Sequence, residues 1–120
     1  ARVLVVDDEP AVAGAIRRVL SPEHDITVVD SGARALELFQ GGATFDVVFC
    51  DVLMPQVSGI DLYQELSRTS PEQAKRFVFV TGGAFTARAR DFLESVPNPH
   101  VEKPFNIFTL KTLIGEFMSQ

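Results

Sequence analysis

Three acids, a threonine and a lysine in this 120-residue chain occupy one kind of position. Asp7 and Asp8 follow Val3-Leu4-Val5-Val6, and Asp51 follows Val47-Val48-Phe49-Cys50. Thr81 follows Phe77-Val78-Phe79-Val80, and Lys103 follows His100-Val101-Glu102. Carboxylates are hard oxygen ligands that suit Mg²⁺, which keeps several waters and takes one or two carboxylates with phosphate oxygens. A carboxylate beside such a metal can also attack phosphorus and become an aspartyl phosphate. A hydroxyl and an ammonium opposite it would bind the phosphoryl oxygens and stabilise the charge in transfer. If these side chains meet, three carboxylates crowd together, and two unit charges about 4 Å apart repel by roughly 4 kcal/mol at an effective dielectric near 20. Lys103 and a divalent cation are the offsetting charges. Singly, each residue has a plainer reading: Asp7, Asp8 and Asp51 as helix-capping acids, Thr81 as a strand exit before Gly82-Gly83, Lys103 as a surface lysine. Their common placement at the ends of separate strand-like runs carries the chemical reading.

The elements that would gather them are legible in order. Arg2 to Val6 is a β-branched run, and Pro10 suits the first turn of a helix whose start the preceding acids complement. Val12, Ile16, Val19 and Leu20 recur at helical spacing up to Ser21-Pro22. A second strand runs from Asp25 to Asp30, and Ala35, Leu36, Leu38 and Phe39 make a helix ending at Gly41-Gly42. The third strand runs into Asp51, and Pro55 turns the chain away. Leu62, Tyr63 and Leu66 stripe a helix after Gly59, closed by Ser70-Pro71. The fourth strand, Phe77 to Val80, precedes a helix built on Phe85, Ala89, Phe92 and Leu93. A short fifth strand, His100 to Glu102, leads into a helix with Ile107, Leu110, Ile114 and Phe117 inward and Asn106 as its N-cap. Strict alternation with short loops predicts an α/β fold, (βα) five times over, with helices on both faces of a parallel sheet. In the flavodoxin-like order 2-1-3-4-5, the ends of strands one and three lie at the topological switch point with four and five beside them. Asp7, Asp8, Asp51, Thr81 and Lys103 then share one crevice.

Length fits one compact domain over residues 1–120, and 46% hydrophobic content supplies one core. A net charge of −5 with only the thin Arg17-Arg18 and Arg88/Arg90 pairs argues against a nucleic-acid surface on this domain. No apolar run approaches the roughly 18 residues of a membrane span, so no membrane contact is expected of it. Cys50 is the single cysteine, which excludes an internal disulfide and is compatible with a reducing, cytoplasmic setting. The chain opens without Met and reads as a domain cut from a longer protein.

From Arg2 to its last helix the sequence resembles the receiver (response-regulator) domains of two-component phosphorelays. The resemblance rests on Asp7-Asp8, on Asp51 in Asp51-Val52-Leu53-Met54-Pro55-Gln56-Val57-Ser58-Gly59, on Thr81, and on Lys103-Pro104, in that order and at matching spacings. It implies that Asp51 accepts a phosphoryl group from a phosphohistidine on a partner histidine kinase or phosphotransfer domain. It implies a Mg²⁺ held by Asp8, Asp51 and the backbone carbonyl of Leu53, with Asp7 assisting through water. Thr81 would swing to the phosphoryl group, Lys103 would contact one of its oxygens, and a cis bond before Pro104 would aim the lysine. The domain would promote its own phosphorylation and dephosphorylation, relay the change through the fourth helix, fifth strand and fifth helix, and form homodimers through that face. The kinase would dock on the first helix, with Ala11, Ala15 and Arg18 as contacts. The stretches around Thr81, Pro97-Asn98-Pro99 and Lys103 also resemble the C-terminal receivers of hybrid sensor histidine kinases, and the lack of an output domain after Gln120 agrees.

Two departures stand out. Receivers usually carry Tyr or Phe three residues before the lysine, and this sequence has His100, a smaller imidazole ring. Gly82-Gly83 after Thr81 leaves the site open to water, which predicts fast loss of phosphate. Two other functions compete with the phosphoacceptor. A phosphatase of the haloacid-dehalogenase type would need a second Asp where Leu53 stands. A degenerate receiver, acting only as a docking module, is disfavoured by the intact acid set.

Overall fold

The computed structural model describes residues 1–82 and 86–119. Five parallel strands, β1 (Arg2–Val6), β2 (Asp25–Val29), β3 (Val47–Asp51), β4 (Phe77–Thr81) and β5 (His100–Glu102), form one sheet in the order β2-β1-β3-β4-β5. Among the described residues six helices connect and follow them: α1 (Pro10–Leu20), α2 (Gly32–Gln40), α3 (Gly59–Thr69), the single turn α4 (Pro71–Ala74), α5 (Ala87–Ser95) and α6 (Ile107–Met118).

Alternation along the strands splits the core in two, because successive side chains leave opposite faces of a sheet. Val3 and Val5 of β1, with Val47, Phe49, Val78 and Val80, pack against Ala13, Ile16 and Leu20 of α1 and Leu110, Ile114 and Phe117 of α6. Leu4 and Val6, with Val48, Cys50, Phe77 and Phe79, pack against Ala35 and Phe39 of α2, Ile60, Leu62 and Leu66 of α3, and Ala89, Phe92 and Leu93 of α5. Phe49, Phe77 and Phe79 are fully buried; each such side chain contributes roughly 1.5–3 kcal/mol through burial. Tyr63 sits edge-on to Phe77, Phe79 and Phe92 at 5.4–5.9 Å between ring centres. Its hydroxyl donates to Asn98 Oδ1 at 2.9 Å, and Asn98 Nδ2 donates to the carbonyls of Ala74 and Phe77. That network ties α3 to the chain entering β5.

The structure differs from the sequence reading in a few places. The chain does not simply stop at Ser70-Pro71 but begins the one-turn α4 there, with Pro71 in the first helical position, where its missing N–H costs nothing. The fourth and fifth helices of the sequence reading are therefore α5 and α6. Val19, assigned to the buried stripe of α1, is 39% exposed, and Ala13 takes its place in the core. Phe85, expected to open the helix after β4, lies outside the described residues; α5 begins at Ala87, where Thr86 accepts the Ala89 N–H at 3.1 Å. Asn106 caps α6 by accepting the Phe108 N–H.

Candidate functional site

The register of the sheet sets the site. Val6 lies beside Cys50, Asp51 beside Val80, and Thr81 beside Glu102. The residues following β1, ending β3 and β4, and following β5 thus lie at one end of the sheet.

The two buried acids are each held by backbone. Asp7, 3% exposed, accepts the Glu9 N–H at 2.9 Å through Oδ1. Asp51, 6% exposed, accepts the Leu53 N–H at 3.1 Å through Oδ1, so the chain leaving β3 turns around its own carboxylate. The loop from Val52 to Ser58 is pinned by two close approaches. A Cβ on Gly59 would overlap the Asp51 carbonyl, and one on Gly32 would overlap the Val57 carbonyl. Gln56 has a positive φ of 64° in this loop. Ser58 then caps α3 reciprocally: its hydroxyl accepts the Asp61 N–H, and Asp61 accepts the Ser58 N–H, each at 3.1 Å.

Lys103 reaches across the sheet into this group. Its Nζ lies 3.1 Å from Asp7 Oδ2, 3.4 Å from Asp51 Oδ2 and 2.9 Å from Glu9 Oε1. The Lys103 N–H donates to the Thr81 carbonyl at 2.7 Å, and the Lys103-Pro104 bond is cis. Burial alone would lower the lysine pKa, but hydrogen bonds to Glu9 and Asp7 and the charges of Asp51 and Asp7 outweigh it and raise the pKa. Burial pushes the Asp51 carboxyl up from its ordinary value; the Leu53 N–H and Lys103 oppose the rise, and the charge of Asp7 adds to it. Burial also raises the Cys50 thiol well above its ordinary value, with Asp51 and Asp7 adding to the effect, so it stays protonated and donates to the Asp51 carbonyl.

Carboxylate oxygens of Asp7, Asp8 and Asp51 lie within 4.8 Å of one another, with Asp8 exposed. Three hard oxygen donors so disposed, one of them facing solvent, fit a divalent cation that keeps part of its water shell. The side chain of Leu53 is exposed and plays no part in the cluster. Thr81 is buried at the end of β4, and its hydroxyl donates to the Val101 carbonyl of β5 at 3.4 Å. His100 is exposed on β5, beside Phe79 in register. On the Gly82-Gly83 stretch, a Cβ added to Gly82 would meet nothing within 4 Å among the described residues, and Gly83 lies outside them.

Glu9 is the member of the site that sequence reasoning passed over. As the last acid before Pro10 it has the look of a plain helix-start acid, and it does occupy the N-cap position of α1. Its side chain makes no capping hydrogen bond and turns to Lys103 instead. A third consecutive acid after β1 was the available signal. Beside it, Glu9, Ala11, Val12, Ala15, Lys103, Pro104 and Phe105 line a largely apolar groove of 440 Å³. Arg18, expected on the same docking face, is exposed but does not line that groove.

Comparison with known proteins gives the same picture. Residues 3–115 match the family described as the response regulator receiver domain. The chain is 35% identical over 122 residues to the sensor kinase CckA of Brucella abortus, covering all of this chain and 13% of that protein. It is 31% identical over 126 residues to the osmosensing histidine protein kinase SLN1 of Saccharomyces cerevisiae, covering 97% of this chain and 10% of that one. It therefore corresponds to a small part of either relative. Among solved structures, a response regulator receiver domain protein from Clostridium thermocellum superposes with a TM-score of 0.85 at 25% identity, covering 99% of this chain and 94% of that one. With the sheet order, the acid cluster and the match across nearly its whole length in agreement, this chain belongs to the response regulator receiver domain family of two-component signalling.

Proposed function

We propose that residues 1–120 act as a single receiver domain in which Asp51 accepts a phosphoryl group from a phosphohistidine of a histidine kinase or phosphotransfer domain. The observation that carries this is the pair of contacts on the Asp51 carboxylate: Oδ1 on the Leu53 N–H and Oδ2 facing the Lys103 ammonium. In the transfer, a carboxylate oxygen of Asp51 forms a bond to phosphorus while the P–N bond breaks, and the imidazole leaves with the electron pair and takes up a proton. Lys103, already aimed at Asp51 Oδ2, stabilises charge on the phosphoryl oxygens. Leu53 fixes the carboxylate so that little orientation is lost on reaction.

Mg²⁺ fits the acid cluster; Asp8 and Asp51, with the Leu53 carbonyl, would hold it, Asp7 would assist through water, and it would neutralise charge on phosphoryl oxygens. Thr81 would exchange its Val101 partner for a phosphoryl oxygen, and β5 is the first element to feel that change. The apolar groove beside Lys103 suits a helix of the phosphodonor, with Ala11 and Ala15 on its wall. With a phosphohistidine donor of this kind the domain would work in the cytoplasm; no described helix is long and apolar enough to cross a membrane. Incubation with acetyl phosphate and Mg²⁺ should add one phosphoryl group to the wild-type protein and none to Asp51→Ala. Equal labelling of both would sink the assignment.

A further inference from the structure

An ammonium has three N–H donors and no acceptor. Around Lys103 three carboxylates stand within reach: Glu9 at 2.9 Å, Asp7 at 3.1 Å and Asp51 at 3.4 Å. The three are not equivalent. The side chains of Asp7 and Asp51 are 2% and 9% exposed, and that of Glu9 is 59% exposed. Glu9 is thus the solvent-exposed partner of the ammonium. Its backbone is fixed, with the N–H on Asp7 Oδ1 and the carbonyl accepting from Val12 and Ala13. The side chain alone is free to leave.

We propose that Glu9 is a positioning residue that occupies Lys103 in the unphosphorylated protein and competes with the incoming phosphoryl group for it. This rests on the reading of Asp51 as the phosphoacceptor. A phosphoryl group brings about −1.5 to −2 charges to the same ammonium, more than the single charge of Glu9, and displaces it. Before that, Glu9 slows uptake in two ways: it fills the solvent-facing donor of Lys103, and it repels an anionic phosphodonor. Once displaced, the Glu9 carboxylate is released to the rim of the groove formed by Ala11, Val12, Ala15, Pro104 and Phe105. The negative charge freed there, at the start of α1, is in the place the helix dipole favours. The groove, which Glu9 and Lys103 both line, thereby presents an unpaired carboxylate when Asp51 is modified.

Glu9→Gln keeps the size and an oxygen acceptor while removing the charge. At saturating Mg²⁺ and limiting acetyl phosphate, the variant should be phosphorylated about two- to fivefold faster than wild type, the range for an ion pair with an exposed partner. The gain should appear in the apparent affinity for acetyl phosphate and shrink with added salt, which screens the exposed pair. A second readout needs neither metal nor phosphate: acetylation of the Lys103 amine by acetic anhydride, followed by mass spectrometry, should be about two- to fivefold faster in Glu9→Gln for the same reason. If wild type takes phosphate and Glu9→Gln takes it no faster, the competition is refuted and the assignment of Asp51 stands. Unchanged Lys103 acetylation refutes the pairing itself. A wild-type protein that takes no phosphate overturns the Asp51 reading and the competition with it.

Discussion

Gly59 and Asp51 touch backbone to backbone: a Cβ on Gly59 would overlap the carbonyl oxygen of Asp51 and lie 3.0 Å from Val52 Cα. The first turn of α3 is therefore seated directly on the end of β3, and the rigid carbonyl cannot move aside as a side-chain tip could. Gly59→Ala should destabilise the fold by about 2 kcal/mol or more, as overpacking against fixed atoms does. Gly14→Ala is the control. Gly14 is on the exposed face of α1 and a Cβ there meets nothing within 4 Å, so the change should stabilise by about 0.5–1 kcal/mol. Urea midpoints at unchanged slope measure both.

Asp51 should cost the metal-free fold stability at neutral pH. Its carboxyl is raised by burial, so the native state holds the proton over a pH range in which the unfolded chain has lost it. Stability from this group is complete below the unfolded pKa and is lost as pH rises through the folded one. Asp51→Asn keeps an acceptor for the Leu53 N–H and carries no charge. It should raise the urea midpoint at pH 7 without metal, and the gain should fade towards acid pH. A variant less stable than wild type at pH 7 would contradict this.

Asp61 behaves in the opposite sense. The Ser58 N–H holds its carboxyl below the ordinary value, against a smaller effect of burial, with the Ser58 hydroxyl and Arg88 assisting. Its contribution is present above the unfolded pKa and is lost as pH falls through the folded one. Ser58→Ala removes one half of the reciprocal cap and should cost about 1 kcal/mol. Chemical denaturation measures that cost, and repeated at several pH values it separates the Asp61 contribution from that of Asp51, because the two change with pH in opposite directions.

Much of this was legible in the sequence because the strands are uninterrupted. Val47-Val48-Phe49-Cys50 and Phe77-Val78-Phe79-Val80 admit little but buried parallel strands, and their order fixes which ends meet. The rest depends on where side chains turn after the backbone is placed. Ser70-Pro71 looks the same whether it ends a helix or starts one, so α4 was hidden. Glu9 and Lys103 are 94 residues apart, and nothing local distinguishes a capping glutamate from one that reaches across the sheet. The Thr81 hydroxyl faces the Val101 carbonyl for a reason set by β5, a strand of only three residues. Tyr63 and Asn98 meet through tertiary packing alone.

Access of water at Gly82 bears on the lifetime of the modified state. Gly82 is exposed, and a Cβ there would meet nothing within 4 Å among the described residues, so its backbone leaves room for a side chain. The acyl phosphate should be short-lived in Mg²⁺ without a partner, and Gly82→Leu should lengthen its half-life severalfold by excluding water from that side. Loss of label after removal of the phosphodonor measures both. A long-lived wild-type acyl phosphate, or a variant with the same half-life, would rule out this route for water.

The most direct measurement locates the phosphoryl group. Wild-type protein treated with acetyl phosphate and Mg²⁺, then with borohydride, converts an aspartyl phosphate to homoserine at the modified position, which peptide mass spectrometry identifies. Homoserine at position 51 alone, absent when acetyl phosphate is omitted, is the predicted result. Homoserine at Asp7 or Asp8 with position 51 still aspartate, or no conversion anywhere, would contradict the assignment of Asp51 as phosphoacceptor.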